Sequence, residues 1–95
     1  MILIINNKNK TPDIEANPNV IIFDELCKIK KYNQQPYVIL LLDIEIDKDG
    51  ILVGYDYFFE ELLIMLDVVA IITTKYSEKL QELCHYYKIP LINTY

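Results

Sequence analysis

Four runs of consecutive apolar residues, at 2–5, 20–23, 37–42 and 68–73, constrain this chain more than any other feature. A strand with one face in water alternates apolar and polar residues. An unbroken run rich in Ile, Val and Leu therefore reads as a strand buried on both faces, which is the habit of parallel sheets. Leu91 and Ile92 add a short last strand.

Helical patterns fall between these runs. Asp24 stands at an N-cap position, with Glu25 in the first turn and Lys28, Lys30 and Lys31 toward the far end, a charge order that suits the helix dipole. Leu26, Ile29 and Tyr32 supply its inward side, and residues 33–36 end it. Residues 57–66 predict a second helix, wet only at Glu60 and Glu61, with Phe58 and Phe59 pointing in different directions. Ser77 is an N-cap for a third, where Leu80, Leu83, Cys84 and Tyr87 have the spacing of one helix face. Lys88 and Pro90 close it. Residues 6–19, with two prolines and several asparagines, read as a loop.

Strands alternating with helices predict one α/β domain over residues 1–95. The expected fold is Rossmann-like or flavodoxin-like, a mostly parallel sheet of four or five strands with about three helices. A β-hairpin extends the central strand over residues 43–53.

At 95 residues and 53% apolar composition the chain has material for one core and some to spare. Surplus apolar surface points to association, with a second copy or a protein partner. The net charge is −5 and all nine basic residues are lysines. Nucleic-acid affinity rests on neutralising phosphates, so an acidic chain without arginine is not expected to bind it. The longest apolar tract, 62–72, is interrupted by Asp67 and is too short to span a membrane. The N-terminal residues lack a positive leader, and Cys27 and Cys84 lack paired spacing. The expectation is a soluble, cytoplasmic protein with free thiols.

The acidic stretch at residues 43–50, DIEIDKDG, is the densest cluster of charge. As a hairpin it needs nothing unusual: Ile44 and Ile46 alternate with acidic residues, and residues 47–50 suit a type I turn with Gly50 left-handed. A calcium loop would use Glu45, Asp47, Asp49 and Asp56 around Gly50. It starts on Glu where Asp is usual, ends on the shorter Asp, and follows a strand where a helix is required. No metal site or cofactor is assigned; Ca²⁺ or Mg²⁺ has only this thin pattern behind it.

Ligands of open parallel sheets bind beyond the carboxyl ends of the strands. Those ends place Asn6, Asn7, Asp43, Thr73 and Thr74 as the candidate ligand-binding residues. The only glycines are Gly50 and Gly54, so no phosphate-cradling loop is present. No nucleophile–base pair stands out either, since Cys84 and His85 are helix neighbours facing different ways.

Residues 37–50, YVILLLDIEIDKDG, resemble the central strand and acceptor loop of bacterial response-regulator receiver domains. The resemblance implies a phospho-acceptor role for Asp43 and a switch hydroxyl at Thr73. The chain departs from that pattern where Asn6 and Asn7 replace an acidic metal-binding pair. It also places Asp47 where proline is favoured, and no lysine ends the last strand. With these departures the resemblance implies at most a degenerate, non-phosphorylated relative of that family. The expected function is a non-catalytic interaction or regulatory module, self-associating through helix 57–66 and the hairpin. The alternative is a small-ligand or divalent-metal domain using the strand ends around Asp43.

Overall fold

The computed structural model describes residues 1–6, 20–22 and 35–94. Five strands, β1 (Ile2–Asn6), β2 (Val20–Ile22), β3 (Pro36–Leu42), β6 (Asp67–Thr73) and β7 (Leu91–Asn93), form one sheet in the order β2-β1-β3-β6-β7. Every neighbouring pair in it is parallel. Between β3 and β6 lie β4 (Ile51–Leu52), β5 (Tyr57–Phe58) and helix α1 (Phe59–Met65); α2 (Glu78–Tyr87) joins β6 to β7. The architecture is therefore α/β, and two helices occur among the described residues. The helix expected over 24–33, with Cys27, lies outside them.

One face of the sheet carries the core. Leu3, Ile39 and Ile71 stand in register across β1, β3 and β6, with Ile5 and Leu41 one step along, and all five are fully buried. They pack with Phe59, Leu62 and Leu63 of α1 and with Leu80, Leu83 and Cys84 of α2. α1 has seven residues and no side-chain cap. A helix that short does not persist alone in water, so its formation depends on this packing.

The other face behaves differently. Ile2, Val38 and Ala70 form one row across it, and Ile4, Leu40, Ile72 and Ile92 a second. Along β3 burial alternates strictly: Tyr37, Ile39 and Leu41 are buried, while Val38, Leu40 and Leu42 are half-exposed. On the same side Ile4 and Asn6 of β1 are buried, so the expectation of cover on both sides holds fully for β1 and in part for β3. At Val69 a bulge inserts one extra residue between the pairs Tyr37–Val68 and Val38–Ala70.

Two sequence expectations are corrected in the segment between β3 and β6. First, the hairpin does not extend the central strand. β3 ends at Leu42, and Asp43, with φ 55°, turns the chain off the sheet. The reversal occurs as expected: the Gly50 amide donates to the Asp47 carbonyl, and Gly50 has φ 84°. Asp47 Oδ1 accepts from the amides of Asp49 and Ile51, each at 2.9 Å. A single bridge, Ile46–Leu52, pairs the two arms. Rather than projecting, the arms lie on the core, because Ile44, Ile46 and Leu52 all belong to it.

Second, the helix expected at 57 starts at Phe59. Tyr57 and Phe58 pair antiparallel with Leu52 and Ile51. The intervening turn holds Gly54 at φ 96° and Asp56 at φ 54°, which returns the chain in extended form. Two aromatic residues suit that extended conformation well.

α2 follows its sequence signals. Ser77 caps it, Leu80, Leu83 and Cys84 are buried, and the amides of Lys88 and Ile89 close the last turn on the carbonyls of His85 and Cys84. Lys88 sits left-handed at φ 57°, a conformation in which glycine is relieved of a side-chain clash. Lys88→Gly is expected to raise stability by about 0.5–1 kcal/mol, read as a higher urea midpoint at unchanged slope.

Candidate functional site at the strand ends

The carboxyl ends of β1, β3 and β6 lie side by side, because Asn6 pairs with Leu42 and Leu41 with Thr73. Asn6 is buried, and its carbonyl accepts a 2.8 Å hydrogen bond from the Tyr55 hydroxyl. Tyr55 comes from the β4–β5 turn, so that turn is fastened across the end of β1. Asn7 lies outside the described residues.

Asp43 meets Thr74, and not Thr73. The Asp43 amide donates to Thr74 Oγ1 at 2.7 Å, and the Thr74 amide donates to the Leu41 carbonyl at 3.1 Å. These bonds hold the left-handed turn after β3 against the end of β6. Thr73, which the receiver-like pattern would aim at Asp43, is buried, and its hydroxyl bonds the backbone of Lys75. Strand alternation explains the exchange: Thr73 shares the core face with Leu41, and the next residue is already in the connecting bend.

Lys75 completes the cluster. Its Nζ lies 3.5 Å from Asp43 Oδ1 and 3.7 Å from Glu45 Oε1. These side chains are well exposed, so each ion pair contributes at most about 1 kcal/mol. Asp43, Ile44, Glu45, Val53 and Lys75 line a cleft of about 210 Å³. That is smaller than the roughly 300–1,000 Å³ of ordinary small-molecule sites. Neither Lys75 nor Tyr55 was singled out from the sequence. Lys75 was visible as the third residue of a polar strand end; Tyr55 gave no signal, because its partner is 49 positions away.

The acidic residues of the calcium pattern are spread along two turns, with Asp47 engaged in capping the first. Among the described residues no group of three or more His, Cys, Asp or Glu side chains is arranged to hold a metal ion. No helix among them is long and apolar enough to cross a membrane.

On α2, Cys84 is buried and His85 exposed. Burial pushes the Cys84 thiol up to about 11, which leaves it protonated and a poor nucleophile at neutral pH. The Tyr87 hydroxyl donates to Glu60 Oε2 at 2.7 Å, linking α2 to α1, and that bond pushes its pKa up to about 12. Both groups hold protons in the folded chain that the unfolded chain gives up earlier. Stability is expected to be intact below about pH 9 and to fall as pH rises through about 9–12. Cys84→Ala should flatten the first part of that decline, measured as urea midpoint against pH. An unchanged profile in the variant would contradict the assignment to the thiol.

No protein-family model matches the chain, and neither the curated proteins nor the solved structures contain a significant match to it.

Proposed function

We propose that this chain is a non-enzymatic interaction module of flavodoxin-like topology whose binding surface is the half-exposed apolar side of β3, β6 and β7. Counting only the five strands of the main sheet, their order is 2-1-3-4-5, the order of that fold type. The observation that carries the reading is the alternation of burial along β3, whose residues are apolar on both sides. Parallel sheets normally have both faces covered. Here one side is sealed by α1 and α2; on the other, Ile4 and Asn6 of β1 are buried while Val38, Leu40 and Leu42 of β3 remain half-exposed.

The surface expected from the sequence, helix 57–66 with the hairpin, supports association less well. Val53, Phe58 and Ile64 are exposed there, but Phe59, Leu62, Leu63, Ile44 and Ile46 are committed to the core. Three scattered apolar side chains make a less continuous patch than the adjoining apolar residues of β3, β6 and β7.

The test is carbene labelling of dilute protein, read residue by residue by mass spectrometry. Leu40 and Ile72 are expected to label well above Ile39 and Ile71, their buried neighbours. Equal protection of all four would sink the reading.

A second reading has the Asp43–Glu45–Lys75 cleft in its favour. A small ligand there would engage Lys75 or the two carboxylates it bridges. Its test is a thermal-shift series with Ca²⁺, Mg²⁺ and inorganic phosphate. Stabilisation that disappears in Asp43→Asn would support it, and no shift with any of the three would exclude these ligands.

A further inference from the structure

We infer that β7, a terminal strand of the main sheet, pairs antiparallel with β7 of a second copy of the chain, across a two-fold axis beside Ile92. The inference concerns the edge of the sheet and goes beyond the module reading, which concerns its apolar side.

Backbone geometry sets the register. In the sheet order β7 is last, with β6 on its inner side. The Ile71 amide donates to the Pro90 carbonyl at 2.9 Å, and the Thr94 amide donates to the Thr73 carbonyl at 3.0 Å. Bonding direction alternates from residue to residue along a strand, so Ile92 also faces β6. The N–H and C=O groups of Leu91 and Asn93 therefore point outward. Leu91 is half-exposed and residues 92–94 are exposed. Four outward backbone groups are a template for a further strand, which proteins usually blunt with charge or proline. Residues 89–95, IPLINTY, contain no charged side chain. Pro90 stands before the strand, and its missing N–H is not one of the four.

The spacing selects the occupant. Two outward residues, two positions apart, are matched by an antiparallel strand with the same two. Leu91 of each copy then exchanges both hydrogen bonds with Asn93 of the other, and the axis passes beside Ile92. Ile92 stands opposite its own copy at the non-hydrogen-bonded position, where side chains approach most closely. It is 49% exposed in the single chain, so pairing gives it apolar cover. The row Ile4, Leu40, Ile72 and Ile92 continues across the axis into the second copy. A foreign strand would meet the same four backbone groups; β7 itself also brings the matching isoleucine.

One short strand and its flanks bury less than the roughly 1,200 Å² of total surface typical of stable interfaces. A reversible dimer with a Kd of about 0.1 mM is expected. Each copy carries a net charge of −5, so added salt should tighten the dimer by screening that repulsion.

The experiment is sedimentation equilibrium from about 10 μM to 1 mM protein, with amide exchange read by NMR on the same samples. A monomer–dimer equilibrium is expected, in which exchange at Leu91 and Asn93 slows as protein concentration rises. The Thr94 amide, already bonded to β6, should change less. Ile92→Lys and Ile92→Glu each set like charges opposite one another, and each should weaken self-association about tenfold. Mixed, the two variants bring opposite charges together across the axis and should associate about as well as the parent chain. Ile64→Lys, at a side chain 70% exposed on α1, should leave the dimer unchanged. A chain monomeric to the highest concentration overturns the inference, and the labelling of Leu40 and Ile72 still decides the module reading separately. A dimer whose Leu91 and Asn93 amides exchange as in the monomer overturns it, and so does a mixture that associates no better than either variant alone.

Discussion

Phe59→Ala is expected to cost about 3–5 kcal/mol, a large part of the roughly 5–15 kcal/mol that holds a domain of this size together. Phe59 is fully buried and opens α1, which has no side-chain cap to start it. Its amide donates to the Gly50 carbonyl at 2.9 Å, so it also ties the helix to the first turn of the hairpin segment. Removing the ring leaves a cavity between α1 and the sheet, and the seven-residue helix has little else to hold it. The neighbouring Phe58→Ala, at a ring 52% exposed, should cost no more than about 1 kcal/mol. Urea denaturation of the pair measures the contrast. A Phe59→Ala loss below about 1.5 kcal/mol would mean that α1 is not docked as described.

Ser77→Ala should cost about 2–3 kcal/mol, well beyond a simple cap. The Ser77 hydroxyl accepts from the Leu80 amide at 3.2 Å and donates to the Ile46 carbonyl at 2.8 Å. It is buried, so alanine leaves a donor and an acceptor unpaired in a site with little access to water. One hydroxyl thus starts α2 and anchors the segment after β3. For a domain of this length the loss corresponds to a melting temperature lower by about 10–20 °C. Hydrogen exchange locates it: the Leu80 amide should exchange faster in Ser77→Ala and remain protected in Ser77→Thr. A loss below about 1 kcal/mol would indicate that the bond to Ile46 contributes nothing beyond the cap.

The cap illustrates how local and tertiary information divide. Ser77 was legible as a helix start because its partner, the Leu80 amide, is three residues away. Its second bond, to Ile46, spans 31 positions and leaves no trace in the local pattern. The candidate site follows the same division. Asp43 stood out as the point where an apolar run meets an acidic one, and the chain does leave the sheet there. That Thr74 holds it, that Lys75 pairs with it, and that Tyr55 is fastened over Asn6 depend on contacts 31, 32 and 49 residues apart.

Tyr57 and Phe58 show the same limit within a single element. Helix propensity across residues 57–66 favoured one continuous helix, but a turn around Gly54 placed the first two residues opposite Ile51 and Leu52. Backbone pairing with a neighbouring strand outweighed a preference worth a few tenths of a kcal/mol per residue.

By itself the sequence determined the strands of the main sheet, through unbroken apolar runs that cannot lie in water, and the limits of α2, through the Ser77 cap and the Lys88 and Pro90 that close it. Both follow from interactions within one turn or one strand. Only the tertiary structure decided that β1 is buried on both sides while β3 is fully buried on one side and half-buried on the other. Apolar residues state that a surface must be buried; which element buries it depends on the order and direction in which the strands are laid down. In this chain α1 and α2 are laid on the side that carries Leu3, Ile39 and Ile71, and the core forms there.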